Sequence, residues 1–136
     1  MTKGPTSDCY CVILRGIARR ITALYDEALA PVGIGVAQFA LLRRVHRAQP
    51  VSLTELARLS DLDRSTVGRN VRVLERDGFV QPVPAKDQRE QALELTPAGR
   101  KVLADGAPFW DAAQARVEAL IGPEGSAALR ALQREL

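Results

Sequence analysis

Apolar residues recur near the start of the chain at Val12, Ile13, Ile17, Ile21, Leu24, Ala28 and Leu29. Arg15, Arg19, Arg20, Asp26 and Glu27 fall mostly on the opposite side. That spacing predicts an amphipathic helix over about residues 9–30, stopped by Pro31-Val-Gly-Ile-Gly35. A second helix is predicted over residues 36–48, with Phe39, Leu42 and Val45 facing inward. Ser52 and Glu55, three residues apart, match the capping box and open a short third helix whose expected core is Leu56, Ala57, Leu59 and Leu62. Asp63 is a natural N-cap for a fourth helix, predicted to end near Arg76 with Gly78 as its left-handed cap. Val67, Val71 and Leu74 are the buried stripe of that helix.

The period then shortens. Residues 79–83 and 91–95 are rich in strand-forming residues, roughly alternate, and read as a hairpin; Pro82 requires its strand to be an edge. Thr96-Pro97 combines a hydroxyl cap with proline at the first helical position. The helix it opens is expected to reach about Ile121 with a kink at Pro108. Gly122-Pro123 breaks it, and a last helix covers about residues 124–135. The fold class is therefore mainly α with a small β-hairpin wing: a winged helix-turn-helix between N- and C-terminal helices. We divide it as 1–35, 36–96 and 97–136 within one compact unit. Alone, the two terminal segments would leave apolar stripes exposed, which predicts that they are dimerisation helices in a homodimer.

Composition narrows the class. The chain has 136 residues, 46% of them hydrophobic and 4% aromatic, so its core is built from aliphatic side chains. No apolar run is long enough to span a bilayer and the first residues lack the apolar core of a secretory signal, so a cytoplasmic protein without membrane association is expected. Net charge is +3. Residues 1–50 hold seven Lys and Arg against three acids, whereas residues 51–96 hold seven against eight. The helix-turn-helix is not basic by count, so DNA binding must rest on which face its arginines occupy.

That face can be read from the spacing. Ser65, Arg69, Arg72 and Arg76 recur at i, i+4, i+7 and i+11, opposite the buried stripe. Arg64, Ser65, Thr66, Arg69 and Asn70 lie in the first two turns, the part of a recognition helix that meets base edges. Arg bonds guanine and Asn bonds adenine in bidentate fashion, while hydroxyls and Arg72 suit phosphates. Lys86, Asp87 and Arg89 crowd the hairpin turn. Lys86 is placed on a phosphate and Arg89 is the candidate groove or phosphate probe, with Asp87 holding the tip or orienting an arginine. The plainer alternatives are a solvated helix face and a loop kept soluble by its charges.

Asp87-x-Arg89-x-x-x-x-x-Leu95-Thr96-x-x-Gly99, preceded by Leu74-Glu-Arg-Asp-Gly-Phe-Val80, resembles the MarR family of bacterial winged-helix regulators. The resemblance runs from about Cys11 to Leu136 and includes Leu29-Ala-Pro-Val-Gly-Ile34. It implies a homodimer on a near-palindromic double-stranded operator, with half-sites about one helical turn apart. It also implies a repressor that lets go of DNA when a small phenolic or lipophilic inducer, or an oxidant, acts near the junction of the two domains.

Cys9 and Cys11 are too few and too close together for a disulfide-built secreted scaffold. Cys11, fourteen residues ahead of Tyr25, is similar to the peroxide-sensing OhrR-type branch, in which a reactive cysteine sits near the start of the first helix. Helix N-termini in general favour thiolate and so oxidation to sulfenic acid. That branch carries two tyrosines in its second helix, where this chain has Val36 and Phe39. The alternative is that one or both cysteines simply pack as small apolar residues. With one distant histidine, His46, no metal site is expected, nor any cofactor. Phe109 and Trp110 are read as dimer-core residues. Two other functions compete: a small thiol peroxidase using Cys9 or Cys11, for which no base is evident, and a winged-helix protein-interaction module. The expectation is a protein that is not an enzyme.

Overall fold

The computed structural model describes residues 8–84 and 91–136. Helix α1 (Tyr10–Leu29) ends in a single 3-10 turn, Ala30–Val32, closed by Gly33 in the left-handed region at φ 72°. Helix α2 (Val36–Ala48) follows, with Asp26 reaching back from α1 so that its Oδ1 accepts the Val36 N–H at 2.8 Å. Phe39, Leu42 and Val45 are buried as expected, and Leu41 joins them.

Strand β1 (Val51–Ser52) leads straight into α3 (Leu53–Ser60). Ser52 Oγ accepts the Glu55 N–H at 3.1 Å, which is one half of the expected capping box. In place of the other half, the Glu55 carboxylate pairs with Arg58 one turn on. Leu56 and Ala57 are buried and Leu59 packs against the core, but Leu62 is not a core residue: it is 46% exposed. The cause is local. Asp61 takes a left-handed conformation (φ 53°), and the Leu62 N–H bonds to the Ala57 carbonyl, a Schellman-type ending that swings Leu62 off the helix face.

Helix α4 (Arg64–Arg76) buries Val67, Val71 and Leu74. It ends the same way, with Gly78 at φ 79° and the Phe79 N–H on the Leu74 carbonyl. Strands β2 (Val80–Val83) and β3 (Ala92–Leu95) form the hairpin, and β1 adds to its other side, giving an antiparallel sheet in the order β1-β3-β2. Pro82 lies on the outer strand β2, facing Leu93 in the register. Gln49 Oε1 accepts the Leu95 N–H at 2.9 Å, tying the end of α2 to the end of β3.

Helix α5 (Pro97–Glu135) opens with Thr96 as cap, its Oγ1 accepting the Gly99 N–H at 3.0 Å. The backbone stays helical through Pro108, so the break in α5 lies not there but at Gly122 (φ 78°, ψ 167°), the second of the two places the sequence marked. The first half of α5 packs across α1 and α2. Two glycines on it permit close approach: a Cβ at Gly99 would stand 2.1 Å from the Phe79 carbonyl oxygen, and one at Gly106 would stand 2.7 Å from the Phe39 ring. One core, from Leu29 to Val102, unites α2, α3, α4 and the sheet with the start of α5. No single helix among the described residues is long and apolar enough to cross a membrane.

Candidate nucleic-acid interface

Helix α4 owes its position to two features of its sequence. Its apolar stripe fixes one face against α3 and the sheet, and Asp63 fixes where the helix begins. Asp63 Oδ1 accepts the Thr66 N–H at 2.8 Å and the Ser65 hydroxyl at 2.6 Å, while Oδ2 accepts the Thr66 hydroxyl at 2.9 Å. Arg69 Nη2 in turn donates to Thr66 Oγ1 at 3.3 Å. The Ser65 hydroxyl first, then the Thr66 amide and hydroxyl, and last the Arg69 charge, lower the Asp63 carboxyl to about 2.

The outer face of α4 is concave. Arg64, Ser65, Gly68, Arg69 and Arg72, with Leu53 from α3, surround a shallow depression of about 600 Å³. Gly68 lines it without a side chain, and a Cβ there would stand 3.5 Å from Leu53 Cδ2, an ordinary contact. Three guanidinium groups therefore share one rim, although the segment has no net positive charge. This is the local field that a count of charges does not reveal.

Of the residues the sequence singled out, Arg64, Ser65, Arg69 and Arg72 are exposed and come together on this rim. Thr66 is half-buried and engaged with Asp63, and Asn70 is half-buried beside the depression rather than on its lining. Lys86, Asp87 and Arg89 lie outside the described residues. Cys9 is the N-cap residue of α1 and Cys11 stands in its first turn, both exposed. No cluster of three metal-ligating side chains occurs among the described residues. Asp63 was expected as the N-cap, but Leu53, Gly68 and the bonds that the Ser65 and Thr66 hydroxyls donate to Asp63 were not anticipated. Aspartate two residues before serine and three before threonine is the sequence signal that could have found those hydroxyl bonds.

A second cavity, of about 390 Å³, lies between α2 and α5, with Phe39, Leu103 and Trp110 among its apolar lining. The Arg43 guanidinium sits over the Trp110 ring, 4.1 Å from its centroid. Tyr25, whose ring centroid is 6.3 Å from that of Trp110, donates its hydroxyl to Gln114 Oε1. Burial, with Glu118 nearby, raises the Tyr25 pKa. Phe109 is partly exposed, and Trp110 packs on the core of its own chain.

A three-stranded wing beside a capped, arginine-rimmed helix defines the winged helix-turn-helix class of transcriptional regulators. The MarR family pattern matches residues 34–90. The transcriptional regulator MosR of M. tuberculosis, in complex with DNA, has a similar structure: 33% identity over 94% of this chain and 96% of that one, with a TM-score of 0.84. A probable transcriptional regulator from Pseudomonas aeruginosa is 27% identical over 94% of this chain and 96% of its own, with a TM-score of 0.83. The uncharacterized HTH-type transcriptional regulator YwoH of Bacillus subtilis (strain 168) is 30% identical over 84 residues. That match takes in 62% of this chain and 61% of YwoH, so the chain aligns with less than two thirds of that relative's length. The chain belongs to the MarR family.

Proposed function

We propose that the protein regulates transcription by binding double-stranded DNA as a homodimer, with residues 36–96 as the DNA-binding module and residues 1–35 and 97–136 as the dimerisation elements. The observation that carries this reading is the three-arginine rim of α4 around the depression next to Leu53. Arg69 and Asn70 read bases, Arg64 and Arg72 contact phosphates, and Lys86, Asp87 and Arg89 act from the wing tip. Ser65 and Thr66 reach the DNA by exchanging their bonds to Asp63 for bonds to it. The similarity to MosR, whose structure was solved with DNA, supports the same use of this face.

Repression is the expected mode, and release comes from a small phenolic or lipophilic compound held between α2 and α5. A second reading has release by oxidation at Cys11 or Cys9, favoured by the exposure of both thiols where α1 begins. The experiment is a titration of fluorescent DNA from upstream of the protein's own gene across a salt series, with and without peroxide. Binding that weakens steeply with salt and prefers the native sequence supports the regulator. Loss of binding on oxidation, restored by reductant, selects the cysteine reading, and indifference to peroxide selects the small-molecule reading. Failure to bind any duplex overturns the DNA-binding proposal and leaves the protein-interaction module.

A further inference from the structure

The start of α4 is already occupied by an anion of the chain itself. The first turn of a helix directs backbone N–H groups outward and favours negative charge, so a recognition helix can seat a DNA phosphate there. In α4 the Ser65 hydroxyl, the Thr66 N–H and the Thr66 hydroxyl instead all donate to the Asp63 carboxylate, at 2.6, 2.8 and 2.9 Å. Asp63, Arg64, Ser65 and Arg69 are exposed, so this carboxylate stands on the surface offered to DNA.

A cap does not need the charge. Asparagine and serine serve at this position about as well as aspartate. The three bonds come from neutral donors, and with the carboxyl held at about 2 the charge is present throughout the neutral range. Glu55 on α3 differs, because the Arg58 guanidinium takes up its carboxylate at 2.9 Å. Beside a phosphate about 4 Å away in water, the Asp63 charge would oppose binding by roughly fivefold to tenfold. What it opposes most is the sequence-independent mode of binding, which rests on phosphates alone.

Arg69 works against that repulsion. Its Nη2 donates to Thr66 Oγ1 at 3.3 Å, so a single hydroxyl separates the guanidinium from Asp63 Oδ2. When Ser65 and Thr66 turn their hydroxyls to DNA, the carboxylate oxygens they leave are free to take a charge-assisted bond from that guanidinium. An arginine extended past Asp63 to a base edge is oriented by this bond. One drawn aside to a phosphate leaves the carboxylate facing the backbone uncompensated.

We propose that Asp63 is a positioning residue that sets the sequence discrimination of α4: it disfavours every phosphate-only complex and is compensated only where Arg69 reaches a base. This rests on the DNA-binding function proposed above and names a residue that tunes it.

Fluorescence anisotropy of the full-length protein tests this, on the native upstream duplex and on an unrelated duplex of equal length, at several salt concentrations. Asp63→Asn should tighten the unrelated duplex about tenfold and the native one no more than about twofold, so that discrimination falls about fivefold. Asp63→Ser, which also caps without charge, should do the same and decides the matter should the asparagine variant fold poorly. In an Arg69→Ala background the same change should tighten both duplexes equally and leave their ratio unaltered. A carboxylate that only caps the helix would give none of these responses. The proposal is overturned if the uncharged variants discriminate like the wild type, or if discrimination falls by the same factor without Arg69. It is also overturned if they bind the native duplex more weakly, which would place Asp63 itself on a cytosine amino group. In each of these cases DNA binding by the wild type stands; a wild type that binds no duplex removes both readings.

Discussion

The middle of the chain and its two ends follow the same helical period and meet opposite fates. In the winged module Leu56, Val67, Leu74 and Leu95 are sealed to 1% exposure or less by side chains of their own chain. In α1, Val12, Ile13, Leu14 and Ile17, and in α5, Leu120, Leu129 and Leu132, stay 39–71% exposed. An amphipathic pattern thus specifies a helix and its apolar face without specifying which molecule covers that face. The module closes on itself, whereas the ends leave apolar surface open, the kind of surface that marks interfaces and that the proposed homodimer would cover.

The contrast can be broken most sharply at the ends. Ile17→Asp places an unpaired charge in the proposed dimer interface but on the open surface of a single chain. It should raise the dimer dissociation constant by more than a hundredfold, about 3 kcal/mol, while leaving circular dichroism unchanged. Sedimentation equilibrium measures this, and an unchanged dimer would remove α1 from the interface.

Gly99→Ala tests the module at the point where it meets α5. The added methyl would meet the Phe79 carbonyl, which is backbone and cannot turn away. The expected cost is about 3 kcal/mol of stability, the upper end of overpacking, read from urea unfolding. A loss below about 1 kcal/mol would show that the turn relaxes freely.

Arg69→Ala should touch neither folding nor assembly. It should weaken binding to the native operator about tenfold more than binding to an unrelated duplex, ~1.4 kcal/mol of discrimination. Equal losses on both duplexes would assign Arg69 to phosphate.

The smallest effect concerns Asp63. Its carboxyl, at about 2 when folded, lies below the unfolded value of about 3.9, so its contribution is complete above that value and lost as pH falls toward 2. Asp63→Asn should flatten the fall of melting temperature with pH in that window; a slope identical to wild type would mean the bonds to Ser65 and Thr66 do not persist in solution.

Much of this architecture could be read from single residues because caps are local chemistry. Ser52, Asp63, Thr96 and Gly78 each satisfy backbone groups within a few positions, and each stands where the sequence placed it. The third strand was not legible: Val51–Ser52 is two residues long, too short to have a period, and it exists only because Leu93 and Ala92 lie opposite. Leu62 looked like core because periodicity carries on through a helix end that Asp61 in fact turns aside. On α4 the arginines were legible from their spacing, but the depression they rim depends on Leu53, which belongs to another helix. The cavity of Arg43 and Arg100 joins positions 57 residues apart, a distance no local pattern bridges.

Thr96 carries one further consequence. Its hydroxyl donates to the Gly78 carbonyl at 2.5 Å, just past the end of α4, while accepting the Gly99 amide at the start of α5. The Thr96 N–H also bonds to the Phe79 carbonyl. The reading head and the beam that carries it are thus pinned at one joint, with little play between them. In a paired molecule the distance between the two heads is then a matter of how the beams cross. On the proposed homodimer such a device would measure its target with callipers: an extra base pair between half-sites could not be absorbed by a loose head and would be met by bending the whole frame or the DNA.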